Sequence, residues 1–324
     1  MAPVITVRVS CPADLSPAVQ DLFGRDPATS SVTLHRGASL EPVGDVIEAD
    51  LPREAVNEAV DALVALGVPQ RGTISLLPVP TWVSAPALRA ELREPGASAD
   101  AVVWTDVIQR AYDESAFTWT FASFMVLATL LAAIAIVTDS VILVIGAMVL
   151  GPEFVAIAAL GVGIVRRRGH LLQQALGTLA LGFGTSIAVV AAIAAVARWL
   201  GLIDYNALLT NARPGTSFIF EPNAWSLIVA IIAGAAGVLS LTSARSGGLV
   251  GVFISVTTIP ASGNIALAMV FGLWHEVWGS SLTLVVNIAG MAVAGWLTLA
   301  VQQSVWGRVS ARRRRWADRR HQIP

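Results

Sequence analysis

Two prolines, Pro152 and Pro260, each stand near the middle of an apolar stretch long enough to cross a membrane, and this pairing constrains the fold more than any other feature of the chain. Six such stretches are legible: Phe117 to Val137, Val141 to Val165, Leu171 to Leu200, Ala224 to Leu241, Gly247 to Leu273 and Gly279 to Val305. A hydrocarbon core about 30 Å thick needs roughly 20 helical residues. Proline removes a backbone donor and clashes with the preceding turn, so the second and fifth stretches are predicted to break or kink near the bilayer midplane. Composition agrees: 55% of the 324 residues are hydrophobic and only 13% are charged, which excludes an ordinary soluble protein.

The two interrupted stretches also resemble each other. One carries Gly151-Pro152-Glu153, the other Ile259-Pro260-Ala261-Ser262-Gly263-Asn264. Five residues past each proline comes the same pair, Ile157-Ala158 and Ile265-Ala266, and a serine starts each stretch, Ser140 and Ser246. The expectation is two three-helix repeats, 117–200 and 224–305, of inverted topology. Matching broken helices in such repeats point to a transport site. Backbone groups freed at a break are costly in lipid unless protein or a cavity satisfies them. Half-helices beginning after Pro152 and Pro260 offer partial positive charge, and the preceding ends offer carbonyls, so anions and cations both stay open as ligands.

Glu153 is the outstanding candidate, because an ionisable group at that depth costs at least ~2.5 kcal/mol on insertion scales and a functional role is the default expectation. It reads as a proton-coupling or cation-binding carboxylate, or as a cap on the second half-helix; the two roles are compatible. With Gly151 and Pro152 it forms one wall of the expected site. Ser255, Thr257, Thr258, Pro260, Ser262 and Asn264 form the other, and Gly263 allows close backbone approach. Each hydroxyl taken singly also reads as a packing group bonded to its own helix. Asn287, Thr185 and Ser186 read as hydrogen-bond partners between helices.

Orientation follows from arginine, since lysine is absent. Arg166 to Arg168, Arg245 and the tail residues Arg308, Arg312 to Arg315, Arg319 and Arg320 fall on one side, against Arg198 and Arg213 near the other. The positive-inside rule then puts both termini in the cytoplasm and Asp139, Asp204, Glu221 and Glu276 outside, in a plasma-membrane protein. The basic tail, 306–324, can also hold anionic lipid headgroups. Trp119, Trp199, Trp225, Trp274, Trp278 and Trp306 sit near span ends, as an aromatic belt does. Glycines such as Gly177, Gly182, Gly184, Gly234, Gly237, Gly290 and Gly295 read as close helix contacts.

Residues 1–80 have a different grammar. Val4 to Ser10 alternates like a strand, Ser16 to Phe23 reads as a short helix, and Ser31 to His35 and Asp45 to Leu51 read as strands around the turn-rich GASLEPVG. Arg53 to Leu66 has helical periodicity ended by Gly67, and Gly72 to Val79 is a last strand. The order βαββαβ predicts an α+β ferredoxin-like cytoplasmic domain, serving regulation or assembly. Residues 81–116 are predicted as a linker followed by an interfacial helix, Asp100 to Tyr112, with Trp104 at the membrane surface. Cys11, the only cysteine, is expected to be a buried thiol.

At Thr138-Asp-Ser-Val-Ile-Leu-Val-Ile-Gly-Ala-Met-Val-Leu-Gly-Pro152 the sequence resembles the bacterial and archaeal membrane proteins grouped as domain of unknown function 389, whose hallmark is similar to "DS…IIGAML-x-[AG]-P". A Gly-Val…Pro segment like Gly251 to Pro260 follows in the second half. The family pattern continues after the first proline with an apolar residue and a second proline, where this chain has Glu153 and Phe154. The resemblance implies architecture rather than activity.

No enzyme motif, cofactor motif or metal-ligand spacing is legible, and His275 with Glu276, read as lying in a short outer loop, supply too few ligands for a metal. The leading expectation is a transporter or channel-like permease for a small solute or ion. The alternative is a receptor or scaffold whose N-terminal domain binds a metabolite or partner while the spans oligomerise. Membrane lipids and a second copy of the chain are candidate partners; nucleic acid is not.

Overall fold

The computed structural model describes residues 4–94, 101–203, 215, 216, 219, 224–242 and 258–321. These fall into two compact units, one built mainly from residues up to 107 and one from residues 108–241 and 247–302.

The first unit is a four-stranded antiparallel sheet of order β2-β3-β1-β4, with β1 at Val4–Cys11, β2 at Ser31–Leu40, β3 at Val43–Pro52 and β4 at Thr73–Val79. Helices α1 (Ser16–Arg25) and α2 (Val56–Ala65) bury Val19, Phe23, Val56, Ala59 and Leu63 against Val7, Val9, Ile47 and Leu51. The alternation read from the sequence is therefore the core pattern of the sheet. The turn expected over GASLEPVG is much shorter than its composition suggests. Strands β2 and β3 run on to Leu40 and Val43, and the register shifts between His35 and Ser39, where Gly37 takes φ +65. A bulge absorbs the glycine without ending the strand. The short helix α3 (Val68–Arg71), begun by Gly67 at φ +78, also went unread.

The expected linker is partly helical, with α4 at Ala85–Arg93, its first turn capped by Ser84. Residues 101–104 are bound to the sheet unit. The buried Arg53 donates to the Ala101 carbonyl at 2.7 Å, Asn57 donates to the Val102 carbonyl at 2.6 Å and accepts from the Trp104 amide, and Val103 joins the core. Helix α5 runs from Trp104 to Glu114, and Trp104 is buried, which corrects its expected place at a membrane surface.

Cys11 is fully buried; burial pushes its thiol up, and the nearby Ser16 hydroxyl acts in the opposite sense. Thiol reagents are expected to leave Cys11 unlabelled in the folded full-length protein and to label it fully after unfolding. Rapid labelling under native conditions contradicts this packing. The Ser16 hydroxyl and the Gly37 amide, both donating to Asp45, hold its carboxyl below the ordinary carboxylate value. A depressed carboxylate contributes stability above its unfolded pKa of about 3.9 and loses it as pH falls through the folded value. Cys11 labelling by an acid-tolerant disulfide reagent should therefore accelerate below about pH 4. Asp45→Asn should label faster at neutral pH and depend less on acid; protection unchanged to strongly acid pH in the wild type would contradict the assignment.

In the second unit α6 (Trp119–Val137), α9 (Gly169–Trp199) and α12 (Trp274–His321) contain spans long and apolar enough to cross a membrane. Helices α7 (Val141–Leu150) and α8 (Glu153–Val165) meet at a 53° bend and together would make a fourth. Two further apolar helices, α10 (Ala224–Thr242) and α11 (Thr258–Phe271), have shorter qualifying segments. Outward faces carry exposed Leu127, Ile142, Leu176, Val196, Ile232 and Val285, a surface that only lipid or another apolar partner suits. These helices mark a membrane-embedded protein.

Several helices end in the same device. A residue with positive φ closes the turn, Asp139 (+45) after α6, Arg167 (+51) after α8, Gly201 (+71) after α9 and Gly272 (+74) after α11. Each is followed by an amide bonded five residues back, such as Ser140 to Ala135 and Leu273 to Ala268, both 2.9 Å. This compact turn leaves room for only two residues between α11 and α12, so His275 and Glu276 lie in the first turn of α12 and not in a loop. The helix then continues through the basic stretch to His321, where a tail was expected.

Candidate functional site

The break between α7 and α8 occupies Gly151 and Pro152, with Pro152 as the cap residue and Glu153 opening α8. Proline suits that place because an amide there has no intrahelical acceptor. Glu153 is fully buried, and its Oε1 accepts a 2.7 Å hydrogen bond from Thr258 Oγ1 at the start of the described part of α11. The two proline-containing segments, more than a hundred residues apart, therefore meet at one carboxyl group. Gly151 permits the meeting: a Cβ there would overlap the Glu153 carboxylate and stand 2.6 Å from Ile259 Cγ1. Pro260 lies inside the first described turn of α11, two residues after Thr258, so the helix does not start after it as expected. Ser255 and Thr257 lie outside the described residues.

Beyond Thr258 the polar run is used for packing. Ser262 Oγ donates to the Ile259 carbonyl and lies 3.1 Å from Thr129 Oγ1 of α6, and Asn264 donates to Ser280 Oγ of α12 at 2.9 Å. Gly263 abuts α6, where a Cβ would come within 2.9 Å of Ala132 Cβ and 3.0 Å of Ala133 N. Thr129 and Ser280 were missed in the sequence because lone hydroxyls in apolar helices carry no pattern of their own. Thr185 and Ser186 bond back to Leu181 and Phe183 of their own helix, which corrects their reading as bridges. Asn287 is fully buried, and among the described residues neither its Oδ1 nor its Nδ2 has a hydrogen-bond partner.

The first proline segment is held from the other side of the bend by the Asp-Ser pair. Asp139 accepts from Thr216 Oγ1 at 2.9 Å and from the Gly215 amide, and Ser140 Oγ caps the Leu143 amide of α7. Ser140 thus helps to set where α7 begins, while Asp139 ties the turn before it to residues 215 and 216.

Residues 148–293 match the sequence profile of a family described as Domain of unknown function (DUF389). Over that segment the chain is similar to this family. The match starts just before the break at Gly151 and ends beyond Asn287, so it takes in both proline segments. No curated protein and no solved structure matched the chain. Among the described residues no three His, Cys, Asp or Glu side chains gather as a metal cluster would require.

Proposed function

We propose that the chain is a transporter or channel-like permease for a small solute or ion, with its binding site where the Pro152 and Pro260 segments meet. The observation that carries this reading is the buried Glu153 carboxyl at a helix break, bonded to Thr258 of the other proline segment. A membrane interior tolerates such a group only at a functional or tightly satisfied position. We read the helices as six spans in two inverted repeats. Reciprocal packing supports this. Helix α8 of the first half lies against the second, with the Phe154 ring filling the space over Gly237 and Gly161 beside Gly295 and Trp296. Helix α11 of the second half lies against the first, through Gly263 and Ser262 on α6. The matched pairs Ile157-Ala158 and Ile265-Ala266 are all buried. The N-terminal sheet unit, whose strand order is that of a ferredoxin-like domain, would then serve regulation or assembly on the cytoplasmic side of the plasma membrane.

The test is charge movement or solute flux in proteoliposomes of the full-length protein, screened over alkali cations, protons and small metabolites. The reading expects protein-dependent flux that Glu153→Gln removes or reduces by at least about 10-fold, the scale on which losing a directly engaged ionised group acts. Flux equal in wild type and Glu153→Gln would remove Glu153 from the pathway.

A further inference from the structure

Asn287 is the one fully buried amide in the helical unit with both polar atoms unmet among the described residues. Leaving such a group unpaired in an interior is costly, so its presence calls for something the described residues do not supply. Its position follows from two independent helix registers. Arg198, near the end of α9, donates to the Val270 carbonyl near the end of α11, so these two ends share a side. Helix α12 starts on that side, two residues after α11, whereas α8 ends at the opposite end of α9, across residues 166–168. Helices α8 and α12 therefore run in the same direction.

Gly161 of α8 abuts Gly295 and Trp296 of α12. Stepping back eight residues, about 12 Å, along both helices brings Glu153 level with residues 287 and 288. Helices α11 and α12 run in opposite directions and touch at Asn264 and Ser280. Six residues back along α11 is Thr258, level with residue 286. Both registers converge on Asn287, which also lies on the buried stripe Ser280, Thr283, Asn287, Met291 of α12.

We propose that Asn287 is a third ligand group at the Glu153–Thr258 junction, and that the site takes a monovalent alkali cation. The inference rests on that junction being a ligand site. A carboxylate, a hydroxyl and an amide carbonyl form an all-oxygen set, which suits a hard cation. One carboxylate balances one positive charge in a medium where an unbalanced charge is costly. The amide NH2 is left to a water retained by the ion, so both unmet atoms of Asn287 find partners.

The experiment is thermal unfolding of the full-length protein in detergent, with choline chloride replaced by lithium, sodium or potassium chloride at constant ionic strength. Wild type is expected to show a saturable rise in midpoint with at least one alkali cation. Asn287→Leu should raise the midpoint in choline by a few degrees, since it removes an unmet amide, and weaken the cation response by about 10-fold or more. Should the leucine variant fail to fold, Asn287→Asp decides, because it keeps the oxygen and must keep or tighten the response. A wild type indifferent to all three cations overturns the cation assignment while leaving the flux test of the transport reading standing. A response lost in Glu153→Gln but intact in Asn287→Leu, or lost in Asn287→Asp, overturns the role of Asn287 and leaves the Glu153 site in place.

Discussion

Gly151→Ala is expected to abolish protein-dependent flux and to lower the unfolding midpoint, although it adds a single methyl group. The new Cβ would occupy the space held by the Glu153 carboxylate and stand 2.6 Å from Ile259. The backbone at Gly151, φ −70 and ψ 127, is open to any residue, so the effect is purely one of approach. Either the carboxylate leaves Thr258 or α11 withdraws from the break, and both outcomes dismantle the junction. Overpacking of this kind costs about 1–3 kcal/mol. Measured flux and midpoint at wild-type values in Gly151→Ala would show that the two proline segments do not meet as closely as described.

Gly234→Ala is expected to have the second large effect, and on stability. A Cβ there would lie 2.5 Å from the Met291 carbonyl oxygen and 2.7 Å from its Cα, backbone atoms that cannot rotate away. Helices α10 and α12 must separate along the contact that also positions Asn287, one turn from Met291. The expected loss is about 1–3 kcal/mol, with a lower unfolding midpoint and a smaller yield of folded protein. Gly177→Ala and Gly184→Ala are the controls, because nothing stands within 4 Å of a Cβ at either. There alanine should be neutral or stabilising by about 0.5–1 kcal/mol through helix propensity. Equal losses at all three positions would mean that the glycines act generically and not through the α10–α12 contact.

That contrast shows how far the sequence could be read. Glycines at 177 and 184 look like those at 234 and 237 in one dimension; only the neighbour across the interface separates them. The break at Pro152 was legible because proline acts locally on its own helix, and Glu153 stood out as an acid among apolar residues. Its partner was not singled out within the polar run of residues 255–264. Which hydroxyl meets the carboxyl depends on the register between α8 and α11, and no local rule sets that. Ser262 and Asn264 carried the same polar signal as Thr258 yet are spent on α6 and α12. In the sheet unit the alternation of Val7, Val9, Ile47 and Leu51 gave the buried face directly. The β2–β3 arm was underestimated because Gly37 and Pro42 are turn formers by composition, and a bulge is invisible until the strands are paired.

On the proposed function, the Glu153–Thr258 junction is a ligand site reached from water and not a sealed packing seam. It is tested most directly by the accessibility of Thr258→Cys in a Cys11→Ser background, with the protein oriented in proteoliposomes. Small membrane-impermeant thiol reagents should label the cysteine from at least one side, and ligand that supports flux should slow the labelling. A thiol that stays unlabelled from both sides, under conditions in which the protein conducts flux, would contradict the account.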